Sequence, residues 1–231
     1  MNMDSYSQTA PVIELDENSR GRFVARAYNH LFGAIVAFVL LEVFLFQTGM
    51  AQNIASVLLS GSWLLVLGGF VVVSWLARSV AHRSTSRAAQ YAALAGYVVA
   101  EAIVFVPLLY VADKLAPGVI ASAAVVTFLG FVGLSLVAFI TRKDFSFLRG
   151  ILFWGGIVAL VLIVAGVIFG FQLGTFFSVG MVALAGAAIL YDTSNILHHY
   201  PQDRYVAASL ELFASVALMF WYVLRLFMSR R

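Results

Sequence analysis

Two carboxylates stand where an apolar chain tolerates them least. Asp192 ends the apolar run 174–191, and Glu211 interrupts the next one, which starts at Val206. On insertion scales an unpaired charge in hydrocarbon costs about 2.5–3.5 kcal/mol or more, so an acidic residue inside a span is read first as functional. One short polar loop separates the two runs. Both carboxyls should therefore lie at similar depth, roughly 5–8 Å from the same membrane face at ~1.5 Å rise per residue. Two carboxyl groups that meet cannot both be charged cheaply and titrate as a coupled pair. Such a pair responds to protons and, once deprotonated, offers oxygen ligands to a hard cation such as calcium.

The other polar residues divide by position. Asp192 has an alternative role, capping its helix end in the headgroup region beside Thr193, Ser194 and Asn195. Ser215 lies one turn beyond Glu211 on the same face, with its hydroxyl expected on the carbonyl of residue 211. Glu101 falls near the middle of the third span and is expected to line a cavity or meet an arginine. Glu42, toward the far end of the first span, is expected to snorkel or to face a cavity, and Arg225 in the last span to snorkel. The adjacent His198 and His199 point to different helical faces, and no cysteine is present to complete a ligand set, so no metal site is assigned. There is no phosphate loop, nucleophile elbow or zinc-protease motif, hence no catalytic residue, no cofactor and no enzyme activity is expected. Lys114 and Lys143 are the only lysines and both fall in loops, which excludes a retinal Schiff base.

These residues must be positioned by membrane helices. Of 231 residues, 62% are hydrophobic and 11% charged, where a soluble domain carries about 25% charged residues. Runs at 28–48, 54–77, 88–111, 118–141, 150–170, 175–194 and 206–228 are each about long enough to cross a bilayer. The expected architecture is an all-α integral membrane bundle of seven spans over 28–231, preceded by a loosely ordered acidic cytoplasmic tail over 1–27. That tail lacks the basic and apolar regions of a signal peptide. Pro107 should kink the third span. Gly166 and Gly170, and the small residues from Ala183 to Ala188, should allow close helix contacts.

With the N-terminus inside, the cytoplasmic segments hold ten basic residues, Arg20 to Arg204, against Lys114 alone in the opposite loops. The positive-inside rule therefore places the N-terminus in the cytoplasm. Arg230 and Arg231 run against that pattern, leaving open whether the last helix crosses or is re-entrant. A net charge of +3, with arginines spread over short loops, gives no footprint for nucleic acid; the lipid bilayer is the expected partner.

Two stretches resemble a known family. ITRKDFSFL over 140–148, containing Arg142, Lys143 and Asp144, resembles the loop between the fourth and fifth helices of the Bax-inhibitor membrane family. GAAILYDTSNILH over 186–198, containing Tyr191, Asp192 and Thr193, resembles that family's sixth-helix signature. YVLRLF over 222–227 fits the seventh, and Arg26 to Tyr28 fits the entrance to the first. The likeness is strongest to the bacterial YccA branch. It implies a seven-helix fold with the C-terminal helix central, in a bacterial inner membrane. It also implies two activities: a pH-sensitive calcium leak gated by aspartates of helices six and seven that share a proton, and modulation of the membrane AAA protease FtsH. Asp192 matches the first aspartate, while the second falls on Ser215, a position at which the YccA branch also tends to lack aspartate. Glu211, one turn nearer the cytoplasm on the same face, is the candidate replacement.

Overall fold

A computed structural model describes residues 11–61 and 63–229. Among the described residues eight α-helices follow one another: α1 (Glu17–Gln47), α2 (Met50–Ser60), α3 (Trp63–Arg83), α4 (Arg87–Leu115), α5 (Val119–Thr141), α6 (Leu148–Phe169), α7 (Thr175–His198) and α8 (Tyr205–Met228). All but α2 are long and apolar enough to cross a membrane, which makes seven candidate spans.

The second expected run is divided. Gly61, in extended backbone, ends α2, and α3 starts at Trp63. The 11-residue α2 is roughly 16 Å long, too short to span, and packs on α4 and α1. At its other end α3 continues through Arg78 to Arg83, so the stretch expected as a loop from Arg78 is helical for its first six residues. Ser86 then caps α4 by accepting a hydrogen bond from the Ala89 N–H.

The C-terminal helix α8 is the hub. It packs on α7, α1, α5, α4 and α3, and 72% of its apolar stretch is buried, against 11% for α3 and α6. Apolar residues all round are what a helix enclosed by others requires. The peripheral helices leave large apolar side chains such as Phe32, Leu65, Trp75 and Phe153 exposed, as a lipid-facing surface demands.

Small residues act as expected in α7, where Ala185 is fully buried and a Cβ added at Gly186 would meet Leu134 and Met219. Among the described residues, the nearest neighbours of the α6 glycine pair are not another helix. Gly170 adopts a left-handed φ of 73° and ends α6, while Gly166 faces Phe171 and Leu173 of the following turn. Pro107 sits inside α4, which continues through it.

The N-terminal segment also departs from expectation. Residues 1–10 lie outside the described residues, as do Arg230 and Arg231. From Pro11 the chain is packed: Val12 is fully buried in a 3₁₀ turn (Val12–Glu14), and its N–H donates to the Tyr200 carbonyl at 2.9 Å. Asp16 caps α1 by accepting from the Ser19 N–H, and this contact holds its carboxyl below the usual range. Arg20 donates to the carbonyls of Ile13 and Leu15. The expected loose tail is thus, from residue 11, a clasp against the α7–α8 loop, driven by one buried valine and satisfied backbone groups.

Candidate functional site

The site forms where α3, α7 and α8 end or begin on one side of the bundle. The sequence Tyr191 to Ser194 closes the last turns of α7, and the polar stripe of α8 presents Glu211 and Ser215 one turn apart. Asp192 is 8% exposed, and its Oδ2 accepts a hydrogen bond from Ser215 Oγ at 2.5 Å. The expected bond from Ser215 to its own helix backbone is replaced by this cross-helix contact, because a buried carboxylate gains more from a donor than an already bonded carbonyl does.

Glu211 has different partners. Its Oε2 lies 2.7 Å from Arg78 Nη1, and its Oε1 lies 3.0 Å from His82 Nε2. Arg78 and His82 are four residues apart on α3 and so share a face. The two carboxylates lie within each other's field and that of Arg78, yet their hydrogen bonds run to separate groups. The anticipated carboxyl pair is therefore resolved into two contacts, Asp192 with a serine hydroxyl and Glu211 in an ion pair. Coulomb attraction draws Glu211 toward the guanidinium, leaving the hydroxyl for Asp192.

Tyr200, in the α7–α8 loop, stacks on His82 at 5.9 Å between ring centroids. Burial, with Glu211 and Asp192 close by, pushes its phenol well above the usual range, so the ring stays neutral. Next to this cluster is a cavity of about 780 Å³, lined by Arg78, Tyr97, Glu101, Trp63, Trp221 and Arg225 among others. Glu101 is 6% exposed and accepts from Tyr97 Oη at 2.7 Å, within the field of Arg78. Arg225 does not snorkel: its Nη2 donates to the Leu173 carbonyl at 3.0 Å.

The 142–147 loop is tied to the end of α7. Phe145 N–H donates to Ser194 Oγ at 2.9 Å, and the same hydroxyl reaches the Lys143 carbonyl at 3.4 Å. Asp144 Oδ1 accepts from the Ser146 N–H at 2.8 Å, and its Oδ2 lies 3.0 Å from His199 Nε2. These contacts hold the Asp144 carboxyl below its ordinary range, chiefly through the Ser146 amide. Arg142 ends α5 with a left-handed φ of 49°. Thr193 is fully buried and shares a 3.3 Å hydrogen bond with Tyr28 Oη of α1.

The family model described as inhibitor of apoptosis-promoting Bax1 matches residues 20–231, nearly the whole chain. The chain belongs to the Bax-inhibitor family. Curated proteins show the same relation over a shorter stretch. The chain is 38% identical over 112 residues to an uncharacterized protein of Pseudomonas aeruginosa, a match covering 47% of this chain and 49% of the relative. It is 32% identical over 113 residues to an uncharacterized membrane protein of Vibrio cholerae, covering 48% of this chain and 50% of the relative. It is 36% identical over 103 residues to the modulator of FtsH protease YccA of Escherichia coli, covering 44% of this chain and 47% of the relative. The matched stretch spans about half the length of each of these relatives.

In this Bax-inhibitor chain the two motif stretches meet in space. Ser194, two residues after Asp192, is the hydroxyl that docks the 142–147 loop, so loop and carboxylate belong to one local unit. Arg78, His82 and Tyr97 carry much of the site and lie outside the candidates that the sequence marks, and Ser194 is marked there only as a neighbour of Asp192. The signal for the first two was present: a basic pair at i, i+4 beside an apolar run, at the depth expected for Glu211. It is masked because the apolar run stops at Ala77, before Arg78.

Proposed function

We propose that this chain is a non-enzymatic inner-membrane protein with a slow, pH-sensitive cation leak, calcium being the candidate ion, controlled by Asp192 with Ser215, Glu211 and Arg78. The single observation carrying this reading is the Asp192–Ser215 hydrogen bond, which joins α7 to the central helix through a buried carboxylate. A buried contact of this kind changes its donor and acceptor roles when a proton is added, and the helix pairing changes with it. The Arg78 guanidinium holds a Glu211 oxygen that a passing cation would need, so the described conformation reads as the closed one. Glu101, on the adjoining cavity, extends the acidic path. The N-terminus is placed in the cytoplasm on the charge distribution of the loops.

Purified protein in calcium-loaded liposomes should leak slowly in a pH-dependent manner. Asp192→Asn should shift that dependence. Vesicles as tight as empty ones from about pH 5 to 8 would overturn the reading.

A second reading is favoured by the name of the Escherichia coli relative, a modulator of FtsH protease. Here the chain engages a membrane AAA protease and restrains turnover of its substrates. Solubilised FtsH should copurify with the full-length protein, and removal of residues 1–10 should weaken capture without disturbing the packed segment from Pro11. Failure of the protease to copurify removes this reading.

A further inference from the structure

A second cavity lies apart from the carboxylate site, toward the opposite end of α1. It holds about 740 Å³ and is bounded by α1, α4, α5 and α8. Its wall is aromatic, with Phe38, Phe105, Phe131, Phe213 and Phe220 among the lining residues. Four polar residues line it: Tyr28, whose hydroxyl is shared with Thr193, the exposed Asp113 near the end of α4, and Glu42 and Thr127 on two different helices. Glu42 of α1 is 7% exposed, and neither carboxyl oxygen has a hydrogen-bond partner among the described residues. Thr127 of α5 is 3% exposed, and its hydroxyl is likewise unpartnered. Phe32, Val39 and Phe128 also line the cavity and are exposed on membrane-spanning helices, so it opens sideways toward lipid between α1 and α5.

We propose that this cavity binds a single-chain lipophilic primary amine, its ammonium on Glu42 and Thr127 and its alkyl chain along the phenylalanines. The chemistry of the wall selects this class. A buried carboxylate is costly without a counter-charge, and an ammonium supplies that charge with three donors. Thr127 Oγ1 accepts one of them, and the ring faces add cation–π attraction. An inorganic cation is a poor fit, since calcium takes six to eight oxygens at about 2.3–2.6 Å and the side chains of this wall offer few, those of Glu42, Thr127, Tyr28 and Asp113, among hydrocarbon. A neutral acyl chain fills the volume but leaves Glu42 unpartnered. A phosphatidylethanolamine headgroup brings an anionic phosphate beside the carboxylate and onto phenylalanine, so an amine without phosphate is favoured. The volume falls within the ~300–1,000 Å³ typical of small-ligand sites.

The test is native mass spectrometry of the full chain in neutral maltoside micelles, titrated with dodecylamine, dodecanol or lysophosphatidylethanolamine. One dodecylamine should be retained per chain. Glu42→Gln should weaken it at least tenfold while leaving the melting transition of the ligand-free protein cooperative. Dodecanol should bind at least tenfold more weakly than the amine and be indifferent to the substitution. Should Glu42→Gln fail to fold, Thr127→Val and the wild-type contrast between amine and alcohol decide the matter. Equal retention of amine and alcohol, amine retention unaffected by Glu42→Gln, or preferential retention of the phospholipid would each overturn the proposal.

Discussion

Ser215 of the central helix donates its hydroxyl to the Asp192 carboxylate of α7 across 2.5 Å, at the place where the family resemblance puts a second aspartate. A neutral donor thus stands where a second acid would compete for the same proton. Ser215→Ala strands the carboxylate and should destabilise the protein by about 1–3 kcal/mol, the usual cost of a buried polar group left unsatisfied. Ser215→Asp should make stability strongly pH-dependent. Two carboxyls sharing one proton hold together at low pH and repel once both are charged, so the melting temperature should fall relative to wild type as pH rises.

The ion pair between Arg78 and Glu211 is partly enclosed, the arginine side chain being 45% and the glutamate 16% exposed. Arg78→Ala and Glu211→Gln should each cost about 1–3 kcal/mol in denaturation experiments. The double variant should cost less than the two together by at least about 0.5 kcal/mol, the coupling expected of residues in contact. Strict additivity would show that the contact does not hold the helices.

Asp144 lies outside the spans, and its carboxyl is held below its ordinary value of 3.8, chiefly by the Ser146 amide. A carboxyl lowered on folding adds stability that is fully present above its unfolded value and is lost as pH falls through the folded one. The 142–147 loop should therefore stay docked at neutral pH and loosen only in acid, below about pH 4. Because the side chain is 46% exposed, the effect is local and screened. Amide hydrogen-exchange protection at Phe145 and Ser146, taken relative to the intrinsic rate at each pH, checks it: Asp144→Asn should lower protection at neutral pH to the level wild type shows in acid.

Arg142 caps α5 in left-handed backbone, φ 49°, a conformation that glycine adopts without a Cβ clash. Arg142→Gly should stabilise the protein by about 1 kcal/mol in chemical denaturation, the scale of the penalty relieved. A loss of stability instead would assign the arginine side chain a contact worth more than that penalty.

Much of the architecture was legible in composition and runs. Seven apolar stretches mark seven spans because every backbone polar group in hydrocarbon must be satisfied within a helix. The boundary errors have physical causes. Gly61 divides a continuous apolar run, which a hydropathy pattern does not register. The end of α3 was hidden because its last turns are basic, and basic residues there read equally well as loop or as the favoured C-terminal charge of a helix. The packed Pro11–Leu15 segment was unreadable because its order comes from a long-range contact with Tyr200.

The candidate site separates the same way. Residue types and spacing alone determined that acidic groups sit inside apolar helices and that serine stands at position 215, while the resemblance to the family drew attention to Asp192. Only the tertiary structure decided their partners: Asp192 with Ser215, Glu211 with Arg78 and His82, Glu101 with Tyr97, and Glu42 with no hydrogen-bond partner among the described residues. Apolar periodicity is a local property of one helix, so it places a carboxylate at a depth and on a face. Which donor reaches it depends on how that helix is rotated against its neighbours, and this is settled by packing among residues far apart in the chain, such as His82 and Glu211 at 129 positions.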